Sequence, residues 1–136
     1  MENMKIRVNT GIKIEVNDNG DTITARLDDS QFVAKFYDIV DLMEKISEHM
    51  SSEEMQSKDE REQFNIVEQK TKEVMTQIDG LFGEDSCKKV FGDIIPSGYA
   101  MADFFEQLIP IFERYANDRQ KAISEKYNRN RKGKKK

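Results

Sequence analysis

Several residue types are scarce in this chain. Its 136 residues include one cysteine, one histidine, two prolines and no tryptophan. A lone cysteine closes no internal disulfide, which fits a reducing compartment. One histidine and one cysteine cannot furnish the nitrogen and sulfur ligands of a usual zinc site. No apolar run approaches the ~18 residues of a membrane-spanning helix. The first ten residues, MENMKIRVNT, lack the apolar stretch of a secretory signal, so none is expected. Leucine is also sparse, with four against 13 isoleucines, and 15 lysines outnumber seven arginines. That bias is what AT-rich coding produces and points to a low-GC genome.

Charge is abundant, and it is unevenly placed. Residues 126–136, KYNRNRKGKKK, hold seven basic and no acidic side chains. The remainder carries 15 basic against 26 acidic groups, a net −11, which the overall −4 conceals. An acidic body thus bears a basic tail. At this length one domain is expected, over residues 1–127, large enough to bury a core.

The first 27 residues alternate apolar and polar positions, the period of a half-buried strand. MKIRV (4–8), IKIEV (12–16) and TITARL (22–27) each follow it. Asn19-Gly20 between the last two is a hairpin signal, because both residues tolerate positive φ. Thr10-Gly11 offers a turn between the first two. The expectation is an antiparallel hairpin or three-stranded meander, needing cover on its apolar face.

Helical periodicity begins directly afterwards. Asp28, Asp29 and Ser30 are N-cap candidates, and Phe32, Phe36, Ile39/Val40, Met43, Ile46 and Met50 form an apolar stripe over about 20 residues. Ser51 with Glu54 and Ser57 with Glu60 read as capping boxes around a helix connection. A second helix over 58–82 shows Phe64, Val67, Thr71, Val74/Met75, Ile78 and Leu81/Phe82. One or two helical turns follow over 85–91, closed by Gly92. A last helix starts near Tyr99, preceded by Ser97 as a cap candidate. Pro110 inside it predicts a kink or break. Residues 128–136 have nothing to bury and are expected to be disordered. The fold class is therefore α+β, mostly α: a hairpin or meander over 1–27, then a three-to-four helix bundle.

Catalysis requires convergent titratable groups, and the sequence offers few. His49 falls at a helix C-terminus, where the dipole suits it without any ligand role. Cys87 stands beside Lys88 and Lys89, which would lower a thiol pKa, yet lies one turn from Phe91, as a buried small residue would. Asp18 and Asp21 flank Asn19-Gly20, but the later bidentate glutamate of a calcium loop is missing. No phosphate-binding glycine loop or nucleophile elbow occurs. Neither a catalytic residue nor a metal or cofactor site is expected. The basic tail invites a nucleic-acid reading, against which stand the acidic body and the absence of an aromatic ladder. The last helix is apolar over a wide arc, through Phe104, Phe105, Leu108, Ile111 and Phe112. These residues are either core or the lining of a partner-binding groove.

The segment Ile78-Asp79-Gly80-Leu81-Phe82-Gly83-Glu84, followed by Lys88-Lys89-Val90-Phe91-Gly92, resembles a pattern in the tail assembly chaperones of long-tailed phages and prophages of low-GC Gram-positive bacteria. The ending is similar too, with Lys126-Tyr127 and Asn130-Arg131 leading into a basic tail. Phe82, Gly83, Phe91 and Gly92 carry the likeness most specifically. Where family members often have Gly after the F-G-E, this chain has Asp85 and Ser86. The resemblance implies a non-enzymatic, homo-oligomeric protein of the host bacterial cytoplasm. It would bind the tape measure protein and keep it soluble until the tail tube polymerises. It also implies a ribosomal frameshift, for which an A-rich run encoding Lys134-Lys136 would serve. The longer product would reach the tail tube protein. The rival expectation is a head–tail connector or tail-completion protein that stays in the virion.

Overall fold

The computed structural model describes residues 3–134. Among them are two strands, β1 (Ile12–Glu15) and β2 (Thr22–Ala25), and five helices: α1 (Ser30–Met50), α2 (Glu53–Gln56), α3 (Glu60–Phe82), α4 (Ser86–Phe91) and α5 (Gly98–Lys134). The chain divides into two compact units, Met1–Ile95 and Pro96–Lys136. The mostly helical class with a short antiparallel N-terminal sheet is as the periodicity predicts.

In the first unit β1 and β2 pair antiparallel, with Ile12 opposite Ala25 and Ile14 opposite Ile23. Strand alternation puts these four side chains on one face. Ile23 and Ala25 are buried there, whereas Ile12 and Ile14 are half-buried. The hairpin loop differs from a tight two-residue turn. Val16 N–H donates to the Asp21 carbonyl at 3.0 Å, enclosing residues 17–20, and only Gly20 takes positive φ, at 84°. Asn17 organises this loop, its Oδ1 accepting from the amides of Asn19 (2.9 Å) and Asp21 (3.3 Å). Its Nδ2 also donates to Asp21 Oδ2 at 2.9 Å, which gives Asp21 a structural place in the loop.

A third strand is not formed. Residues 4–8 pair with nothing among the described residues, and Met4, Ile6 and Val8 are 99%, 91% and 73% exposed. The reason lies at 10–11. Thr10 C=O accepts from Asp28 N–H at 2.9 Å, so the chain keeps to the β2 side instead of reversing. Gly11 is pressed so closely against the Ala25–Arg26 backbone that a Cβ would collide with the Ala25 carbonyl oxygen.

Helix α1 packs on α3, while α3 and α4 pack on β2. Phe32, Phe36 and Ile39 of α1 are buried, with Val74, Ile78 and Phe82 of α3. Phe32 and Phe82 meet edge-on, their centroids 5.3 Å apart, an arrangement worth about 0.5–1.5 kcal/mol beyond area burial. Phe64, expected in the α3 stripe, is 67% exposed. It shares the stripe of Val74, Ile78 and Phe82 but lies in the first turns of the helix, about five turns before Phe82. Asp29, one of the expected candidates, caps α1 by accepting from Gln31 N–H. The other two starts fall one or two residues from the expected capping boxes: Ser52 caps α2 by accepting from Met55 N–H, and Asp59 caps α3 by accepting from Glu62 N–H at 2.8 Å. The connection read from 51–57 is itself a helical turn, because Met55 is fully buried and anchors it.

In the second unit Ser97 caps α5, its Oγ accepting from Ala100 N–H at 3.2 Å. The helix passes through Pro110 without ending. Residues 128–134, where composition predicts disorder, carry helical backbone to Lys134. Lysine and arginine are good helix formers, and extending an existing helix costs little. Lys135 and Lys136 of the expected tail lie outside the described residues.

Candidate functional site

The two F-G pairs have a local structural logic. Each glycine ends a helix in the positive-φ region, Gly83 at 120° and Gly92 at 81°. Gly83 N–H donates to Asp79 C=O at 3.0 Å, and Gly92 N–H to Lys88 C=O at 2.8 Å. A side chain is disfavoured at such φ, which accounts for glycine at both places. The preceding phenylalanines differ: Phe82 is buried, whereas Phe91 is half-buried.

Between the pairs the chain turns tightly. Asp85 adopts φ 63°, a left-handed conformation unusual outside glycine. It occupies the N-cap position of α4, as Asp85-Ser86 in place of Gly suggests, but its side chain makes no capping bond. Asp79 supplies that bond, accepting from Cys87 N–H at 2.8 Å. Ser86 is almost fully buried and its Oγ donates to Gly83 C=O at 2.6 Å. Asp79 was not legible as a cap, because it lies eight residues before its donor rather than two or three.

Cys87 is buried, with Sγ 3.5 Å from Met75 C=O. Burial pushes its thiol up to about 12, and the Asp79 carboxylate adds to the shift. The neighbouring lysines do not activate it, so nucleophilic or redox use of this thiol has no support. His49 is half-buried in the last turn of α1, and its carbonyl accepts from Ser52 Oγ at 2.6 Å. Among the described residues no group of His, Cys, Asp and Glu could hold a metal ion.

The F-G segment also ties α4 to the hairpin. Asn17 Nδ2 donates to Lys89 C=O at 3.0 Å, and Lys89 Nζ donates to Thr22 C=O at 3.3 Å. Gly80 opens on a shallow groove between α1 and α3, about 250 Å³, rimmed by Lys35, Asp38, Gln77 and Leu81.

Helix α5 carries the other candidate residues. Phe104, Phe105 and Leu108 are buried, with Met101. Ile111, Phe112 and Tyr115 are half-buried, and Ile109 is 43% exposed. At about 100° per residue, the positions from Ile111 to Ile109 span roughly 160° of the helix circumference. Phe104 and Phe105 lie edge to face at 5.4 Å. Further along, the Arg119 guanidinium lies over the Tyr115 ring at 5.9 Å. The backbone of α5 also passes through Tyr127, Asn130 and Arg131, whose side chains are outside the description.

No helix among the described residues is long and apolar enough to cross a membrane. No curated protein and no solved structure matches the chain significantly. The profile of a family of unknown function, DUF6673, matches residues 19–136, which take in the end of the hairpin loop, β2, both F-G pairs and α5. The chain belongs to that family.

Proposed function

We propose that this chain is a phage tail assembly chaperone, holding a tape measure protein soluble in the bacterial cytoplasm until the tail tube polymerises. The observation that carries the reading is the wide apolar arc of α5, along which Ile109, Ile111, Phe112 and Tyr115 stay partly accessible. A helix-rich cargo would lay the apolar face of its own helices against such a surface. The F-G pattern of residues 78–92 supports the same reading through its resemblance to these chaperones. The strongly acidic body suits the role, because a charged exterior keeps a chaperone and its apolar cargo dispersed.

Within the arc, the residues divide by accessibility. Ile111 and Phe112 meet cargo first, while Phe104, Phe105 and Leu108 are buried. Co-expression with the tape measure protein of the same genome tests the proposal. The wild-type chain should move that protein into the soluble fraction, and Phe112→Asp should abolish the effect while leaving the chain folded. An insoluble cargo with the wild-type chain overturns it. So does stoichiometric presence of this chain in purified virions, the mark of a connector or tail-completion protein. A frameshifted longer form requires a slippery heptamer in the last codons, with an overlapping downstream frame.

A further inference from the structure

The period-two pattern at the N-terminus is longer than the strand that the fold uses. Met4, Ile6, Val8, Thr10, Ile12, Ile14 and Val16 form one unbroken alternate series, with Lys5, Arg7, Asn9, Gly11, Lys13 and Glu15 between them. Only Ile12–Glu15 is paired as strand. Met4, Ile6 and Val8 are thus a run of exposed apolar positions that would join the face of Ile12 and Ile14 if the pleat of β1 were extended through Gly11, whose N–H the Asn9 side chain now accepts at 3.3 Å.

The sheet is also open on one side. Val16 N–H points to β2, so by antiparallel alternation residues 12 and 14 also face β2, while Lys13 and Glu15 turn their N–H and C=O groups outward. The outer edge of β2 is closed by α4, where Lys89 Nζ reaches Thr22 C=O. On the outer side of β1 no strand lies among the described residues, and Ile12 and Ile14 are left half-buried there. An uncovered edge of this kind is a template for pairing. The chain's own residues 4–8 cannot fill it while Thr10 holds Asp28 and Gly11 is wedged against Ala25.

We infer that the N-terminal segment 4–16 pairs antiparallel with the same segment of a second copy about a two-fold axis through Gly11, joining two hairpins into one four-stranded sheet. The occupant is argued from register and charge. With Gly11 opposite its symmetry mate, Ile6 faces Val16, Val8 faces Ile14 and Asn9 faces Lys13. Arg7 then faces Glu15, twice across the axis, and no like charges oppose. Shifting the register by two residues, with Ile6 facing Ile14, would set Arg7 against Lys13, which cross-strand repulsion disfavours. Pairing a segment with its own copy gives an isologous, closed interface. It covers Ile12 and Ile14 together with Met4, Ile6 and Val8, and satisfies the outward groups of Lys13 and Glu15. The inference is independent of the chaperone reading.

The test uses the full chain. Sedimentation of the wild type should give twice the 15.9 kDa chain mass. Arg7→Glu should return it to the single mass with the helical circular dichroism spectrum kept, and with a thermal midpoint that no longer rises with protein concentration; adding Glu15→Arg to that variant should restore the doubled mass. Mixing an Ile6→Cys chain with a Val16→Cys chain under oxidation should yield the crossed disulfide. Cys87 can remain, because it is buried. A monomeric wild type overturns the proposal, as does a dimer that survives Arg7→Glu unchanged. An intrachain disulfide in the Ile6→Cys/Val16→Cys double variant of a monomer overturns it too, since the strand would then fold back on its own β1.

Discussion

Asp79 is the residue on which the F-G segment turns. Its carboxylate is the acceptor for Cys87 N–H, and no other side chain caps α4. Asp79→Ala should lower stability by about 1–3 kcal/mol, the cost of leaving a partly buried donor unsatisfied. Asp79→Asn retains an acceptor oxygen and should lose less; urea unfolding of the two variants measures the difference. Cys87 gives a second prediction, in pH. Its thiol ionises near 9.0 when unfolded and about 12 when folded. Below pH 9 both states keep the proton and the full stability is present. Above it the unfolded chain releases the proton first, so stability should fall as pH rises from 9 to 12. Unfolding midpoints across that range should decline in the wild type and decline less in Cys87→Ser. Native alkylation of the thiol at neutral pH should be slow.

At the scale of elements, α5 tolerates a residue that helices usually exclude. Pro110 has no N–H to give to the carbonyl of Glu106, and its ring crowds that turn. Pro110→Ala should therefore stabilise α5, by an amount approaching the ~3 kcal/mol propensity difference. Circular dichroism on heating should show a higher midpoint; an unchanged or lower one would mean that the turn at Glu106 is already relaxed. The same helix shows what sequence reading reaches. Its apolar positions were legible from period alone, and burial at Met101, Phe104, Phe105 and Leu108 follows that period. Pro110 left a kink and a break both open, and the helix continues through it, because propensity speaks of one position and thirty-seven residues act together. Elsewhere Phe32, Phe36 and Phe82 were legible as core, since their stripe is regular. Phe64 continues the stripe yet remains outside, because period alone does not say where a helix runs out of partner. The missing third strand depends on a single backbone approach at Gly11, a contact that local pattern does not encode.

For the whole molecule, charge is the governing quantity. The chain has net charge −4 at pH 7 and an isoelectric point near 5.2. Repulsion between copies disappears close to that pH. Solubility should pass through a minimum near pH 5.2 and recover on either side, as turbidity against pH would record. A minimum well above pH 6 would mean that the body holds less negative charge than its composition indicates. The α5 arc was legible as a set of residues. Its division into buried and accessible members was not, because burial depends on distant packing.

The polar contacts from Asn17 and Lys89 bear on the order of folding. The hairpin and the α1–α3 pair form from neighbouring stretches of chain. By contrast, Asn17 to Lys89 spans 72 residues and Lys89 to Thr22 spans 67. Contacts of such separation must first overcome the entropy of closing a long loop. Docking of α4 onto the hairpin is thus the late step of the first unit, and its loss the early step of unfolding. Until it occurs, the outer edge of β2 is as bare as that of β1. A half-folded chain accordingly has two edges on which to assemble wrongly, and a folded one has a single edge.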